Sequence, residues 1–272
     1  MSEARDNRRI IELSVAAAVA AAMALLIVFV TQQAQQLRAA SVSEIAYLPI
    51  AVFPDFASVP DVEVKKQQFF DFFQDYVFEE NENIRSLREE LLPFAAITRK
   101  GWMLSTPEHI RLLEIAATYK MEQTLSNEAE VVEELLQRVD IIPTSLALAQ
   151  AATESAWGTS RFALEGNNVF GQWCYEKDCG IVPSRRPSGA VHEVEIFPSI
   201  KASVQAYFTN INTNDDYQFL RDQRAQMRAQ GRKLDSMILA FGLGRYSERG
   251  DSYVDEVQTL IVQNDLLKRD KS

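Results

Sequence analysis

Two features of the chain predict a mainly α-helical protein with a small β element, an α+β fold. Apolar residues recur at i, i+3, i+4 and i+7 in several separate stretches, as in helices that bury one face. Only residues 191–197 alternate apolar and polar side chains over a usable length, as a half-buried strand does. The 272 residues exceed a typical single domain without requiring two large ones. A formal net charge of −10 excludes a nucleic-acid binder, because phosphate contacts need clustered Lys and Arg.

Residues 10–30 are apolar apart from Glu12 and Ser14, and Arg5, Arg8 and Arg9 precede them. About 20 helical residues span roughly 30 Å, the thickness of a bilayer core. Basic residues ahead of such a segment favour a cytoplasmic N-terminus. Residues 1–31 are therefore predicted to form a cytoplasmic tail and transmembrane anchor, with the rest of the chain on the far side. A cleaved signal peptide is the alternative. Its apolar core is normally about 7–15 residues long, and Gln32, Gln33 and Gln35 make a poor cleavage context, although Ala39 and Ala40 leave one open.

Residues 32–104 are expected to form a spacer and a helical stalk. The spacer is polar and then irregular, with Pro49, Pro54 and Pro60. Phe69, Phe72, Phe73, Tyr76 and Val77 then mark one helical face, which Ile84, Leu87 and Leu91 continue until Pro93 stops the helix. The aromatic stripe is short and wide, which favours packing on the following domain over a partner-binding coiled coil.

The domain proper is predicted over residues 105–268. Ser105 and Glu108 form a capping box, with Ile110, Leu113 and Ala117 as the buried face of the helix they start. A second helix buries Val131, Val132, Leu135, Leu136 and Val139 and ends before Pro143, which sets the first turn of the next. Residues 180–183 and 191–197 read as two strands around a turn, with Val191, Glu193 and Glu195 on one face and His192, Val194 and Ile196 on the other. Ser199 caps a helix that turns Val204, Tyr207, Phe208 and Ile211 inward. Residues 221–233 read as an exposed helix with solvated charges. Residues 234–241 return to the core and stop at Gly242 and Gly244, and a last helix carries Val257, Leu260 and Ile261.

The stretch that carries chemistry is residues 145–171. It opens as the most apolar helix of the domain, and Leu146, Gln150 and Glu154 share one face. A carboxyl at the end of such a helix loses hydration, which raises its pKa and suits it to act as a general acid. Trp157, Asn167, Asn168, Phe170 and Trp173 follow, a mixture of flat apolar faces and amides that fits a sugar ring and its hydroxyl and acetamido groups. Cys174 and Cys179 would close a small disulfide loop beside this cleft in an oxidising compartment. Half of a metal site is the alternative, but His109 and His192 are the only histidines, too few to complete four zinc ligands with one Cys pair. No cofactor is expected.

The run AATESAWGTSR (residues 151–161), with EGNNVFGQWC (165–174) and CGIVP (179–183), resembles the glucosaminidase domain of the Bax-like proteins. These belong to glycoside hydrolase family 73, with the flagellar muramidase and the autolysin glucosaminidases. The resemblance covers roughly residues 107–267 and is most specific over 154–183. It implies a lysozyme-like helical domain acting on peptidoglycan as an endo-β-N-acetylglucosaminidase. Together with the small β-hairpin lobe and the N-terminal anchor read above, the expectation is a catalytic domain in the periplasm, tethered to the inner membrane. Glu154 would be the acid. A second carboxylate is expected on the hairpin, and Glu193 is preferred to Glu195, which adjoins the segment leading to the next helix. Tyr246 and Tyr253 occupy positions that border the sugar, although Glu248, Arg249, Gly250 and Asp251 depart from the commoner loop. Gln150, Trp157, Asn167, Asn168, Phe170, Trp173, Glu195 and Tyr253 are the expected substrate contacts. A lytic transglycosylase of the same fold and a non-catalytic wall-binding scaffold are the alternative functions.

Overall fold

Helix α1 (Val62–Thr98) starts on Asp61, whose carboxylate accepts the Val64 amide at 2.9 Å. It belongs to the computed structural model of the chain, which describes residues 53–121, 127–184, 186 and 189–270. The anchor or signal peptide expected over residues 1–31, and most of the spacer, lie outside the described residues. No helix among the described residues is long and apolar enough to cross a membrane.

The apolar face of α1 enters the core. Phe69, Phe70, Phe73, Val77, Ile84 and Leu91 are all buried. Phe53 and Phe56 fold back from the preceding segment onto this face, with Phe56 5.4 Å from Phe69 and Phe53 5.9 Å from Phe73. The helix does not stop at Pro93 as the sequence suggests. Proline removes one backbone donor, but Pro93 and Glu89, whose carbonyl loses that bond, both lie on the exposed side where water can replace it. Phe94, Ala95 and Thr98 extend the buried face for another turn.

Helix α2 (Thr106–Thr118) begins at Ser105, where Glu108 accepts from the Ser105 amide at 2.8 Å. Its buried face is Leu112, Ile115 and Ala116, with Tyr119 beyond its end. The expected set is wrong, for Ile110 is 53% and Leu113 40% exposed. Apolar residues occupy both sides of this helix, so two faces fit the same spacing and only packing chooses between them.

Helices α3 (Glu128–Arg138) and α4 (Thr144–Glu154) pack along α1. α4 is the centre of the fold, and every residue from Thr144 to Ala152 is buried. Its start is held by Asp270, which accepts the Ser145 amide at 2.8 Å and the Ser145 hydroxyl at 2.7 Å. Its end breaks into three left-handed residues, Ala156 (φ 50°), Trp157 (φ 59°) and Gly158 (φ 74°). Only glycine fits the last position, because a Cβ there would stand 2.5 Å from Phe56 Cδ2.

Helix α5 (Arg161–Gly166) leads to a three-stranded antiparallel sheet, one strand more than the sequence predicts. Strands β1 (Trp173–Cys174) and β2 (Gly180–Ile181) flank β3 (Glu193–Glu195), pairing Trp173 with Val194, Cys174 with Glu193 and Gly180 with Glu195. The added strand is β1, whose two residues carry no periodicity. The disulfide Cys174–Cys179 ties the two flanking strands together. Neither face of β3 is uniformly buried, since Val194 is buried while Ile196 on its side is 50% exposed, and Glu193 opposite is only 6% exposed.

Helix α6 (Ile200–Thr213) turns Val204, Tyr207, Phe208 and Ile211 inward. The solvated helix expected next is instead α7 (Gln218–Ala229), in which Arg221 and Arg224 are buried. Arg224 donates to the carbonyls of Asp140, Ile141 and Gln137, and Arg228 grips the Asp140 carboxylate at 2.7 and 3.0 Å. Those carbonyls sit at the C-terminal end of α3, where backbone acceptors lack helical partners. The short helix α8 (Ser236–Leu239) and a 3-10 turn (Ala240–Leu243) follow, with Phe241 facing out at 61% exposure rather than into the core. Helix α9 (Asp251–Gln263) packs on α4 and completes the core.

Candidate active site

Glu154 is the last residue of α4, so a helix without a solvent face delivers a carboxyl to the surface of the core. One turn earlier, Gln150 is fully buried, and a buried amide needs partners. It finds two tyrosines. The Tyr207 hydroxyl donates to Gln150 Oε1 at 2.6 Å, and Gln150 Nε2 donates to the Tyr253 hydroxyl at 3.0 Å. The Tyr253 hydroxyl in turn acts on Glu154, favouring its charged form.

Further aromatic rings complete the wall. Tyr246 stacks on Tyr253 at 5.6 Å, and its hydroxyl donates to the Phe170 carbonyl at 2.8 Å. Phe170 lies flat on Tyr207 with centroids 3.9 Å apart, and Tyr217 stands 5.9 Å from Tyr246. Gly171 brings the backbone past the acid. Its φ of 65° favours glycine, and a Cβ there would lie 3.4 Å from Glu154 Oε2.

Burial raises the pKa of Glu154 above the ordinary carboxyl value, and the charge of Glu256 pushes the same way. The Tyr253 hydroxyl and the charge of Arg249 oppose that rise without cancelling it. Arg249 is paired with Glu256 and lies over the Tyr253 ring at 5.3 Å. The tyrosines stay neutral, since burial pushes Tyr207, Tyr246 and Tyr253 up and Tyr217 up to about 12. The arrangement is a carboxyl that binds its proton more tightly than an exposed one, backed by neutral hydroxyl donors. Such a group can protonate a leaving oxygen and then be stabilised as a carboxylate.

The structure thus brings Gln150, Glu154, Phe170, Tyr246 and Tyr253 together. Three of these do not present themselves to a ligand, because Gln150 spends both amide atoms on tyrosines, Phe170 is 1% exposed and Tyr253 is 0% exposed. Asn168 is buried and staples the loop to the sheet, donating to the carbonyls of Gln172 and Glu195 at 2.9 Å. Asn167 caps α5 in a left-handed conformation and donates to the Phe197 carbonyl. Trp157 packs on Phe69 and Phe70 of α1. Trp173 remains half-exposed, stacked on His192 at 4.0 Å.

The hairpin glutamates separate. Glu193 turns inward, and its carboxylate accepts the Gly180 amide at 2.9 Å and the Asp178 amide at 3.4 Å. It is a strut for the disulfide loop. Glu195 is half-buried, and its carboxylate makes no hydrogen bond among the described residues. Burial raises its pKa against the opposing charge of Lys120. The structure adds Tyr207, Tyr217 and Gly171 to the site residues that the sequence indicates. For Tyr207 the sequence holds a signal, since a hydroxyl in an otherwise apolar helix face needs a buried partner and Gln150 needs one too.

A carboxyl at the end of a buried helix, walled by tyrosines, is the kind of acid that glycoside hydrolases use. Comparison with known proteins gives the particular family. The glucosaminidase family model, described as mannosyl-glycoprotein endo-beta-N-acetylglucosaminidase, matches residues 129–266. The "Protein bax" of Escherichia coli strain K12 is 34% identical over 214 residues, covering 79% of this chain and 75% of that one. The catalytic domain of the autolysin Auto from Listeria monocytogenes aligns at 15% identity with a TM-score of 0.37, covering 87% of this chain and 97% of that one. The chain belongs to the glucosaminidase family, of the glycoside hydrolase family 73 type.

Proposed function

We propose that the protein is a peptidoglycan hydrolase that cuts glycan strands after N-acetylglucosamine, an endo-β-N-acetylglucosaminidase with Glu154 as general acid. The observation that carries this reading is the placement of the Glu154 carboxyl at the end of the buried helix α4, against the Gly171 backbone and one turn beyond the Gln150–Tyr253 hydrogen bond, where burial raises its pKa. Glu154 protonates the glycosidic oxygen, a step worth typically about 10²–10⁴ in rate. Tyr253 stabilises the carboxylate left behind, and Tyr246 and the exposed Trp173 orient the ring. Glu195, the hairpin carboxylate without a hydrogen-bond commitment, activates water or balances the oxocarbenium-like charge.

The same proposal places the protein in the inner membrane as a single-pass protein with its catalytic domain in the periplasm. Residues 1–31 serve as the tether, 32–104 as spacer and long helix, and 105–268 as the catalytic segment. Purified sacculi, digested by wild type and by Glu154→Gln, test the chemistry by mass spectrometry of the fragments. New N-acetylglucosamine reducing ends from the wild type alone are expected, and equal digestion by both removes Glu154 as the acid.

One observation favours a second reading. Glu193 is committed to backbone amides, and a lytic transglycosylase needs only one acid. Anhydro-muramyl ends in the same digest would replace hydrolysis with that reaction.

A further inference from the structure

Gln150 and Tyr207 are fully buried, so each hydrogen-bonding atom has to find its partner inside the protein. A tyrosine hydroxyl owns one hydrogen and an amide oxygen owns none. With the amide as placed, the 2.6 Å contact between Tyr207 and Gln150 Oε1 therefore runs from tyrosine to amide. Nε2 then faces the Tyr253 hydroxyl at 3.0 Å and donates to it. With its oxygen accepting from behind, Tyr253 has its own hydrogen free for the remaining partner, Glu154.

We propose that Gln150 is a positioning residue that, held by Tyr207, keeps the Tyr253 hydrogen aimed at Glu154 and never touches the glycan. The proposal rests on Glu154 being the acid of the proposed reaction. When Glu154 gives its proton to the leaving oxygen, the Tyr253 bond becomes one to an anion, about twice as strong as a neutral one. That gain appears as the charge develops, so it favours the transition state over bound substrate. A freely rotating Tyr253 would first have to be oriented.

The groups that act on Glu154 are Tyr253 and Glu256 of α9, Arg249 from the loop before it, and the more distant Tyr207, Tyr217 and Tyr246. Gln150→Met keeps the volume and removes only the amide. A carbon-13 NMR titration of the Glu154 carboxyl in the full chain compares wild type, Gln150→Met, Tyr207→Phe, Tyr253→Phe and the double variant Gln150→Met/Tyr253→Phe. Loss of the fixed donor weakens the charged form, so the Glu154 midpoint should rise by roughly half a pH unit in Gln150→Met. Tyr207→Phe should move it the same way by less, and the double variant should match Tyr253→Phe alone. In sacculus digestion, kcat should fall roughly 3–10-fold with KM nearly unchanged, and the basic limb of the pH profile should shift upward.

A Glu154 midpoint that Gln150→Met leaves unmoved, or shifts that add in the double variant, would overturn the proposal. Should Gln150→Met fail to fold, Tyr207→Phe removes only one oxygen at the far end of the chain of bonds, and an unmoved Glu154 midpoint in that variant would overturn it equally. The titration reads the relay whether or not sacculi are digested. Absence of digestion by wild type would strike the hydrolase reading alone.

Discussion

Two carboxyls border α4, Asp140 just before it and Glu154 at its end, and burial has opposite consequences for them. Burial alone pushes Asp140 up, but the hydrogen bond from Arg228 and the charges of Arg224 and Arg88 more than offset this and hold it below the ordinary range. Arg224 shares the cost of burial, its guanidinium being pushed down to about 10. Glu154 has only hydroxyl help and one paired arginine, and its pKa stays raised. Burial sets the problem and the partners decide the use. Fixed cations make a carboxylate into a brace, and neutral donors leave a carboxyl able to part with its proton.

The contrast breaks most visibly at Glu154. Glu154→Gln should lower glycan cleavage by about 10²–10⁴ while leaving the urea midpoint equal or higher. Asp140→Asn should do the reverse. Stranding Arg224 without its counter-charge should cost about 3–5 kcal/mol in urea unfolding, with specific activity retained in the folded fraction.

Stability against pH sharpens the same point. Asp140 has a depressed folded pKa, so its contribution is present above its ordinary 3.8 and is lost as pH falls through the lower folded value. Glu154 has a raised folded pKa, so its favourable linkage is full below its ordinary 4.5 and is lost as pH rises through the higher folded value. Thermal melts of Asp140→Asn should therefore lose the wild-type drop on the acid side, and those of Glu154→Gln the drop above pH 4.5. The smallest effect concerns the break after the acid. Ala156 is exposed with φ 50°, and Ala156→Gly should relieve about 1 kcal/mol of left-handed strain, seen as a small rise in melting temperature.

Much of the acid's setting is legible in the chain, because it is local. A helix of Leu and Ala carrying Gln150 and Glu154 on one face announces a buried polar pair, and Ser105 and Glu108 announce a helix start. The arginines of α7 are not legible, since their partners, Asp140 and the end of α3, lie more than 80 residues away. A run of charges looks solvated until the unsatisfied carbonyls are placed beside it. The surroundings of Glu193 are hidden for the same reason, as nothing in the alternation of β3 shows that the disulfide loop turns two amides toward it. Pro93 reads as a stop because the proline rule concerns a lost bond and does not say which side of the helix loses it.

The aromatic flank of α1 has a practical consequence for anyone dissecting the protein. Phe69, Phe73 and Leu91 fill the side of the core on which α3 and α4 rest, while the family match begins only at residue 129. A fragment trimmed to that boundary would leave the helix of Glu154 with a bare greasy flank and should precipitate. A working excised unit has to begin near Phe53, and chimaeras joined at residue 129 would mix two halves of one interior.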